Sequence, residues 1–206
     1  TQSQATKSKD LENEIINCAN GNHLWQSVLL ASYAVIHKLW SNLNPSEKTR
    51  FMSDFYGTWM TYLAAFPAFS ARKILAMMKS EQLRILSELK GVETTEQGFA
   101  IYYGDSSGLN VDYLIDGRGV GYGEADLKKL PLLKNMFANG AIKPHAFGGL
   151  AINPSTFQAI SNSGREVNGL YIVGDLTKGE FLATTDVVRN VAHCVAATSA
   201  ILSHNQ

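Results

Sequence analysis

The chain has 206 residues, of which 45% are hydrophobic and 17% are charged, so it is expected to fold rather than to be disordered. Its 18 lysines and arginines balance its 18 aspartates and glutamates, so no overall charge attracts nucleic acid or an anionic membrane. The two cysteines, Cys18 and Cys194, lie far apart in sequence and predict no disulfide framework. No apolar run reaches the ~18 residues that span a bilayer, and we expect a cytoplasmic protein.

The first eighty residues are predicted to be helical after a polar leader. Residues 1–10 contain too few apolar side chains to order themselves, so a disordered leader is expected there. Apolar residues at helical spacing predict a helix over about 23–42. Asn44, Pro45 and Glu47 are typical of a capped helix start, and Pro67 ends or bends that helix. A further helix is predicted over 70–79.

An aromatic stripe runs along the second of these helices. We interpret the stripe as core packing rather than as a platform for a ring-shaped substrate. Its members are Phe51, Phe55, Trp59 and Tyr62.

Residues 81–206 predict a mixed α/β region, which follows the helical region over 11–80. Strands are expected at 83–89, 99–103, 111–115, 150–152, 157–160 and 170–173, with the second and third forming a hairpin. The leucine spacing over 127–137 predicts a helix that ends at Gly140. The predicted fold class is therefore α/β.

The most informative stretch is 169–190, where a short buried strand stops at Gly174 and Asp175. A glycine at a strand end lets another molecule approach the backbone closely, and the adjacent carboxylate accepts hydrogen bonds from hydroxyls. The helix predicted to open around Thr184, Thr185 and Asp186 offers unpaired N–H groups and a partial positive charge. These groups suit a polyhydroxylated anionic ligand such as a flavin dinucleotide. The alternative is purely structural: a buried strand, a tight turn and a helix capped by Asp186.

Residues 169–193 resemble the closing segment of two-dinucleotide-fold flavoproteins, in particular FAD/NAD(P)-binding oxidoreductases related to N-hydroxylating monooxygenases. The resemblance implies that Gly174 permits close approach of a flavin and that Asp175 binds a ribityl hydroxyl. It also implies that backbone N–H groups near Thr184, Thr185 and Asp186 face the N1/O2 edge of the ring. A reduced flavin carries negative charge at that edge, and a helix N-terminus stabilises it. FAD is thus the implied cofactor, and NAD(P)H the implied second cofactor.

Residues 112–123 and 139–150 resemble the same family. In the first segment a hydrophobic strand ends in a glycine-containing turn, which makes Gly117 and Gly119 candidates for cofactor binding. Their spacing is not Gly-x-Gly-x-x-Gly, so a flexible crossover is favoured over a primary dinucleotide site. The helical block over 24–80 matches the family's helical insertion more loosely.

The sequence lacks one part of a complete FAD domain. No strand–Gly-x-Gly-x-x-Gly–helix unit precedes residue 80, and neither does the acidic residue that follows such a unit by ~20 positions. We therefore expect the C-terminal part of a FAD-binding Rossmann-like domain, whose sheet is completed by a second protein chain carrying the nucleotide-binding half. Without that chain the strand at 170–173 would expose an unpaired edge.

The expected protein is a subunit or fragment of an FAD-dependent, NAD(P)H-linked oxidoreductase, monooxygenase-like, that acts on a small-molecule substrate. Two alternatives remain open. One is a non-catalytic scaffold or regulatory subunit that retains a degenerate flavoprotein fold. The other is a helical interaction module fused to a degenerate α/β domain.

The sequence does not identify a catalytic residue, and His145 is the candidate for acid–base chemistry. Glu180 either orients a substrate or is simply solvated, and His193 is expected on the final helix, packed or exposed. The histidines and cysteines are scattered without metal-ligand spacing, so no metal site is predicted.

Overall fold

The computed structural model describes residues 3–22, 24–64, 66–105, 107–117, 119 and 121–204. The chain divides into two compact units, the first formed by Thr1–Ser27 and Ala64–Gly119 and the second by Val28–Leu63 and Val120–Gln206. The elements in chain order are α1 Gln4–Ala19, α2 Leu24–Tyr33, α3 Ile36–Asn42, α4 Pro45–Arg50, a π-helical segment Phe51–Phe55, α5 Tyr56–Leu63, α6 Ala68–Lys79, β1 Leu89–Thr95, β2 Gly98–Tyr103, β3 Ser107–Val111, α7 Glu124–Leu127, α8 Pro131–Ala138, β4 Gln158–Ile160, β5 Glu166–Tyr171, a 3-10 turn Gly174–Thr177, α9 Lys178–Phe181 and α10 Val187–His204.

Helix α1 occupies most of the stretch that was expected to be a disordered leader. Ser3 caps it by accepting a hydrogen bond from the Thr6 backbone N–H. The Gln4 amide exchanges two hydrogen bonds with the backbone of Ile85, at 2.6 and 3.2 Å. Lys7 Nζ donates to the same Ile85 carbonyl at 2.8 Å. Polar bonds that the composition of residues 1–10 does not reveal therefore order the helix; residues 1 and 2 lie outside the described part.

The strand predicted at 83–89 is wrong, because the backbone of Ile85 bonds to Gln4 and the chain is irregular until Leu89. The first unit instead contains a three-stranded antiparallel sheet in the order β1-β2-β3. Tyr103 pairs with Ser107, so the hairpin turn is shorter than predicted and its second strand ends at Val111. The predicted strand over 111–115 is wrong, since residues 112–117 are irregular.

In the second unit the predicted helix cap at Asn44 is confirmed, whereas two predicted helices are each divided into two shorter ones. Asn44 Oδ1 accepts from the Glu47 N–H at 3.0 Å, and Glu47 Oε2 accepts from the Asn44 N–H at 2.8 Å. The helix predicted over 23–42 is broken by a turn at Ala34 and Val35, with residue 23 outside the described part. The helix predicted over 127–137 is split into α7 and α8, because Pro131 begins a new helix.

The second sheet has two antiparallel strands, β4 and β5. Strand β4 confirms the strand predicted at 157–160, whereas the one predicted at 150–152 is reduced to two isolated bridges. Strand β5 ends at Tyr171, before the predicted end. Both sheets are antiparallel, so the described residues form a mixed α/β fold without a parallel Rossmann-like sheet.

The hydrophobic core belongs to the second unit. Its buried members come from α7, α8, the loops around β4 and β5, and α10: Leu127, Leu133, Phe137, Ile142, Leu150, Ile152, Phe157, Ala159, Ile172 and Ala197. This core fixes the segment that leads from β5 into α10. Within the described residues, no helix combines the length and the apolar character needed to cross a membrane.

Candidate functional site

Strand β5 leads into a left-handed turn at Gly174, as the sequence predicted for a strand end near residue 174. Gly174 has φ +76°, and a Cβ built on it would find no atom within 4 Å. The 3-10 turn that follows is closed by the Thr177 hydroxyl, which donates to the Gly174 carbonyl at 2.7 Å. The turn therefore presents its backbone to open space at Gly174.

The side chain of Asp175, next to this open turn, lies in a small polar network. Tyr122 Oη donates to Asp175 Oδ2 at 3.0 Å, and Thr184 Oγ1 donates to Asp175 Oδ1 at 3.1 Å. Burial, followed by the hydrogen bond to Asp175, raises the pKa of Tyr122 to about 12. The phenol thus stays protonated and holds the carboxylate in place.

Tyr122 was not among the residues predicted from the sequence. It lies between two glycines, Gly121 and Gly123, in a segment whose glycine spacing alone suggested a function. No signal in the sequence joins it to Asp175, which is 53 residues away.

Asp186 caps α10, as the structural alternative proposed. Its Oδ1 accepts from the Arg189 N–H at 3.0 Å, and its Oδ2 accepts from Tyr33 Oη at 3.2 Å. Burial raises the pKa of Asp186, but the hydrogen bonds from Arg189 and Tyr33 outweigh burial and hold that pKa below its ordinary value. Arg189 Nη2 donates to the Tyr33 carbonyl at 2.8 Å, and its guanidinium lies 4.5 Å from the centroid of the Tyr33 ring. A charged cap, balanced by Arg189, therefore closes one side of the helix start.

The other N–H groups at the start of α10 remain available. Val187 and Val188 are 76% and 81% exposed. Within the described part of the chain, no hydrogen bond is found for their backbone N–H groups, as expected for the first turn of a helix. Thr184, whose hydroxyl bonds to Asp175, is buried, and Thr185 is exposed.

A second corner of this unit is formed by two other glycines. Gly149 has φ +76°, and a Cβ there would overlap the carbonyl oxygen of Leu176. A Cβ on Gly179 would overlap His145 Nδ1 and the Gly148 carbonyl oxygen. The loop before β4 and helix α9 therefore pack backbone against backbone.

Trp40 of α3 packs against this corner and bonds to it. It is 2% exposed, and its Nε1 donates to the Gly179 carbonyl at 2.9 Å. Its ring also packs edge-on against Phe51 and Phe147, with centroids 5.9 and 5.5 Å away. Phe51 and Trp59 are half-buried and pack on each other with ring centroids 6.0 Å apart. Phe55 and Tyr62 are 49% and 55% exposed, so the predicted core role is wrong for those two residues.

The locked corner brings His145 and Glu180 together. His145 Nδ1 accepts from the Phe147 N–H at 3.1 Å, so the imidazole proton is on Nε2, which lies 3.6 Å from Glu180 Oε2. Burial, then the positive charge of Lys48, lowers the pKa of His145. Burial raises the pKa of Glu180, and Lys48 opposes this shift. Because both groups are pushed toward their neutral forms, the contact is not an ordinary ion pair.

Two lysines complete the surroundings. Lys48 Nζ lies 5.2 Å from the centroid of the Trp40 ring, and Lys178 Nζ lies 4.2 Å from that of Tyr122. Lys178 Nζ also lies 4.7 Å from the centroid of Tyr56. The faces of these aromatic rings attract the two ammonium groups and help to hold them in place.

The structure thus places the predicted residues in three groups. Thr184 bonds to Asp175, which follows Gly174 in the chain, and Asp186 directly precedes α10 next to the exposed Thr185. His145 pairs with Glu180, and His193 packs against the stacked rings of Phe157 and Phe181.

The remaining two predicted residues, Gly117 and Gly119, belong to the first unit. They lie in irregular chain, and a Cβ on either would find no atom within 4 Å. Gly119 has φ +80°.

Comparison of the chain with protein-family models, with curated proteins and with solved structures gave no match.

Proposed function

We propose that this chain is the flavin-contacting C-terminal part of an FAD-dependent, NAD(P)H-linked oxidoreductase, monooxygenase-like, that acts on a small-molecule substrate. The observation that carries the proposal is the open left-handed turn at Gly174 beside the oriented carboxylate of Asp175. A second polypeptide would supply the nucleotide-binding half and complete a Rossmann-like sheet. The first strand to be joined would be β5, which is paired only with β4 among the described residues.

The residues at the turn fit a polyhydroxylated ligand. Each oxygen of Asp175 accepts one hydrogen bond from the protein, and a carboxylate has about four acceptor positions in all. Asp175 therefore retains the capacity to accept a ribityl hydroxyl. Gly174 has no atom near its missing Cβ, so a ligand can come close to the backbone there.

The start of α10 fits the negative edge of such a ligand. The N–H groups of Val187 and Val188 would donate to the flavin N1/O2 edge, where the partial positive charge of the helix N-terminus favours an anion. The carboxylate of Asp186 opposes this effect, and the Arg189 guanidinium beside it compensates. When bound, the flavin would supply the electron and hydride transfer chemistry.

His145 and Glu180 are the groups of this chain best suited to move a proton. Glu180 has the raised pKa and a 27% exposed side chain, so its carboxyl group can hold a proton and exchange it with a substrate. His145 Nδ1 accepts a hydrogen bond from the Phe147 N–H, so His145 can act only through its Nε2–H. His145 would therefore orient Glu180 or a substrate as a hydrogen-bond donor.

The test is an absorption spectrum of the tagged protein purified from its host with its bound polypeptides. We expect the visible bands of a bound flavin. Asp175→Asn should lose a charge-assisted hydrogen bond of about 1.5–3 kcal/mol, which weakens flavin binding roughly 10- to 100-fold. Asp54→Asn, a change at an exposed aspartate of the same unit, should leave binding unchanged. A colourless native assembly, or an Asp175→Asn protein that binds flavin as tightly as the parent, would refute the proposal.

A second candidate function is favoured by one observation. Both oxygens of Asp175 already bond to the chain's own Tyr122 and Thr184, as expected of a scaffold that has kept the fold and lost the cofactor. A complete assembly that contains the partner polypeptide and binds no added FAD would support this scaffold.

A further inference from the structure

Helix α10 has a solvent-facing side without a single charged residue. In its 18 residues Arg189 is the only acidic or basic side chain apart from histidine. That guanidinium is turned into the unit, where its side chain is 12% exposed and bonded to Asp186 and Tyr33. A helix that faces water in a folded protein normally carries charged or polar residues on that face.

Apolar residues on this side follow the spacing of a packing seam. Positions 188, 191, 195, 198 and 202 alternate by three and four residues, the pattern of side chains that meet a facing element. Val188, Val191, Val195 and Leu202 are 81%, 57%, 61% and 61% exposed, and Thr198 is also exposed. We call these five residues the α10 seam.

The orientation of the seam is fixed by the opposite side of the helix. Ala197 is 5% exposed in the hydrophobic core, and Ala196 packs against that core. His193 packs against both Phe157 and Phe181, with ring centroids 5.0 and 4.5 Å away. Because the core already holds this side, α10 cannot rotate to bury the seam within its own unit. The seam is therefore an uncharged, mainly apolar stripe on a helix about 27 Å long.

The structure argues against two of the three occupants that a seam of this kind can have. A second copy joined through α10 alone would have two heptads, whereas three or four are typical of a coiled coil. A membrane surface would call for lysines and arginines beside the apolar stripe, and α10 has none besides the inward Arg189. The third occupant is a folded polypeptide.

The open edge of β5 indicates what kind of polypeptide fits. Strand β4 is bridged on its far side, where Ile160 N–H donates to the Ala151 carbonyl. Strand β5 has β4 on one side and no strand of the described residues on the other. Val167 and Leu170 of β5 pack against the same core as α10, so the two elements form one rigid body. The backbone groups on the unpaired edge of β5 are therefore available to a further strand.

We infer that the α10 seam and the free edge of β5 are one docking surface for a polypeptide that adds a strand to β5 and lays an uncharged apolar surface on α10. The inference rests on the proposed function for the identity of that polypeptide, the nucleotide-binding half. Strand addition gives affinity through backbone bonds, and the seam adds apolar burial.

Cys194 supplies a native reporter for the test. It is exposed on α10 among the seam residues, and Cys18 is an exposed cysteine of the first unit. In the isolated chain both thiols should react with a maleimide. In the assembly purified from the host, we expect Cys194 to react at least about tenfold more slowly while Cys18 serves as the internal reference. We also expect slower hydrogen exchange in β5 in the assembly than in the isolated chain.

A benzophenone–maleimide placed on Cys194 of the Cys18→Ser variant then identifies the occupant by mass spectrometry. A cross-linked peptide from an uncharged segment of a polypeptide carrying a Gly-x-Gly-x-x-Gly unit is the expected result. Cross-links between two copies of this chain, cross-links to lipid, or an unprotected Cys194 would each overturn the inference. Unchanged hydrogen exchange in β5 would overturn it as well.

Charge placed on the seam gives a second measurement. Val191→Lys with Val195→Lys should reduce recovery of the partner polypeptide at least about tenfold, since burial of an unpaired ammonium is costly. Leu132→Lys is the matched control, because Leu132 is 70% exposed on α8 of the same unit. Equal recovery from both variants would rule the seam out. An assembly that contains flavin but leaves Cys194 reactive would support the proposed function and refute this docking surface. An assembly that lacks flavin but protects Cys194 would support the docking surface and refute the proposed function.

Discussion

Two glycines of the second unit have the same left-handed backbone and opposite surroundings. Gly149 and Gly174 both have φ +76°. A Cβ on Gly149 would overlap the Leu176 carbonyl oxygen, whereas a Cβ on Gly174 would find no atom within 4 Å. The protein's own backbone thus fills the first corner, and the second is left open.

The difference separates a glycine required for folding from one available for binding. At Gly149 both the conformation and the space exclude a side chain, so glycine is explained by packing alone. At Gly174 only the conformation favours glycine, and the space beside it is free for another molecule. The comparison leads to four predictions, which begin with the change of largest effect.

Gly149→Ala should be the most damaging of these substitutions. Left-handed backbone costs a non-glycine residue roughly 1–2 kcal/mol, and the overlap with Leu176 adds about 1–3 kcal/mol. The hydrogen bond from the Leu150 N–H to the Leu176 carbonyl, at 2.7 Å, lies at the same place and would be distorted. We expect the free energy of unfolding, measured with urea, to fall by about 3 kcal/mol or more. A loss below about 1 kcal/mol would show that the corner is not closed.

Trp40→Phe tests the lock on the closed corner. The variant removes the indole N–H that bonds to the buried Gly179 carbonyl, and an unsatisfied buried acceptor costs about 1–3 kcal/mol. We expect a loss of about 2 kcal/mol in the same urea experiment. Trp59→Phe, which shortens a partly buried ring of the same aromatic cluster, should cost less than half as much. Equal losses would mean that ring volume, and not the hydrogen bond, stabilises the corner.

The features that were predictable from the sequence are those set by neighbouring residues. The Asn44–Glu47 cap, the turn at Gly174 and the Asp186 cap all depend on contacts within a few positions. The contacts of Tyr122 with Asp175 and of Tyr33 with Asp186 could not be predicted, because these pairs are 53 and 153 residues apart in the chain.

The wrong strands have a similar cause. Alternating apolar residues at 83–89 favour a strand, but a strand also needs a partner, and the backbone of Ile85 bonds to the side chain of Gln4 instead. The residue pattern of a segment indicates its strand propensity, but it does not show which residues distant in sequence bond to the backbone of that segment.

Gly174→Ala should have a small effect on stability and a large one on binding. The left-handed conformation costs about 1–2 kcal/mol, and no overlap adds to it. If a flavin lies against this backbone, the new methyl group should weaken its binding about tenfold or more. Urea unfolding and flavin titration of the native assembly measure the two effects. Unchanged flavin affinity would place the ligand elsewhere.

Glu180→Gln should have the smallest effect, and its size depends on pH. The pKa of Glu180 is raised above its ordinary value of 4.5. At pH values between 4.5 and this raised pKa, the folded state therefore binds more protons than the unfolded state. Stability is therefore lost as pH rises through that window, and glutamine removes the loss. We expect the variant to gain up to about 1 kcal/mol over the parent at pH 8, with the gain disappearing toward pH 4.

The lowered pKa of His145 gives the opposite slope in the same profile. Its unfolded form binds more protons below the ordinary value of 6.5, so stability falls as pH drops through that value in both the parent and the variant. Urea unfolding at several pH values separates the two slopes, because only the Glu180 slope should vanish in Glu180→Gln. Glu124→Gln, at a half-exposed position on α7, should change stability by less than about 0.5 kcal/mol. If Glu180→Gln were instead less stable than the parent at pH 8, Glu180 would be a paired carboxylate at that pH, and its role as a proton carrier would have to be abandoned.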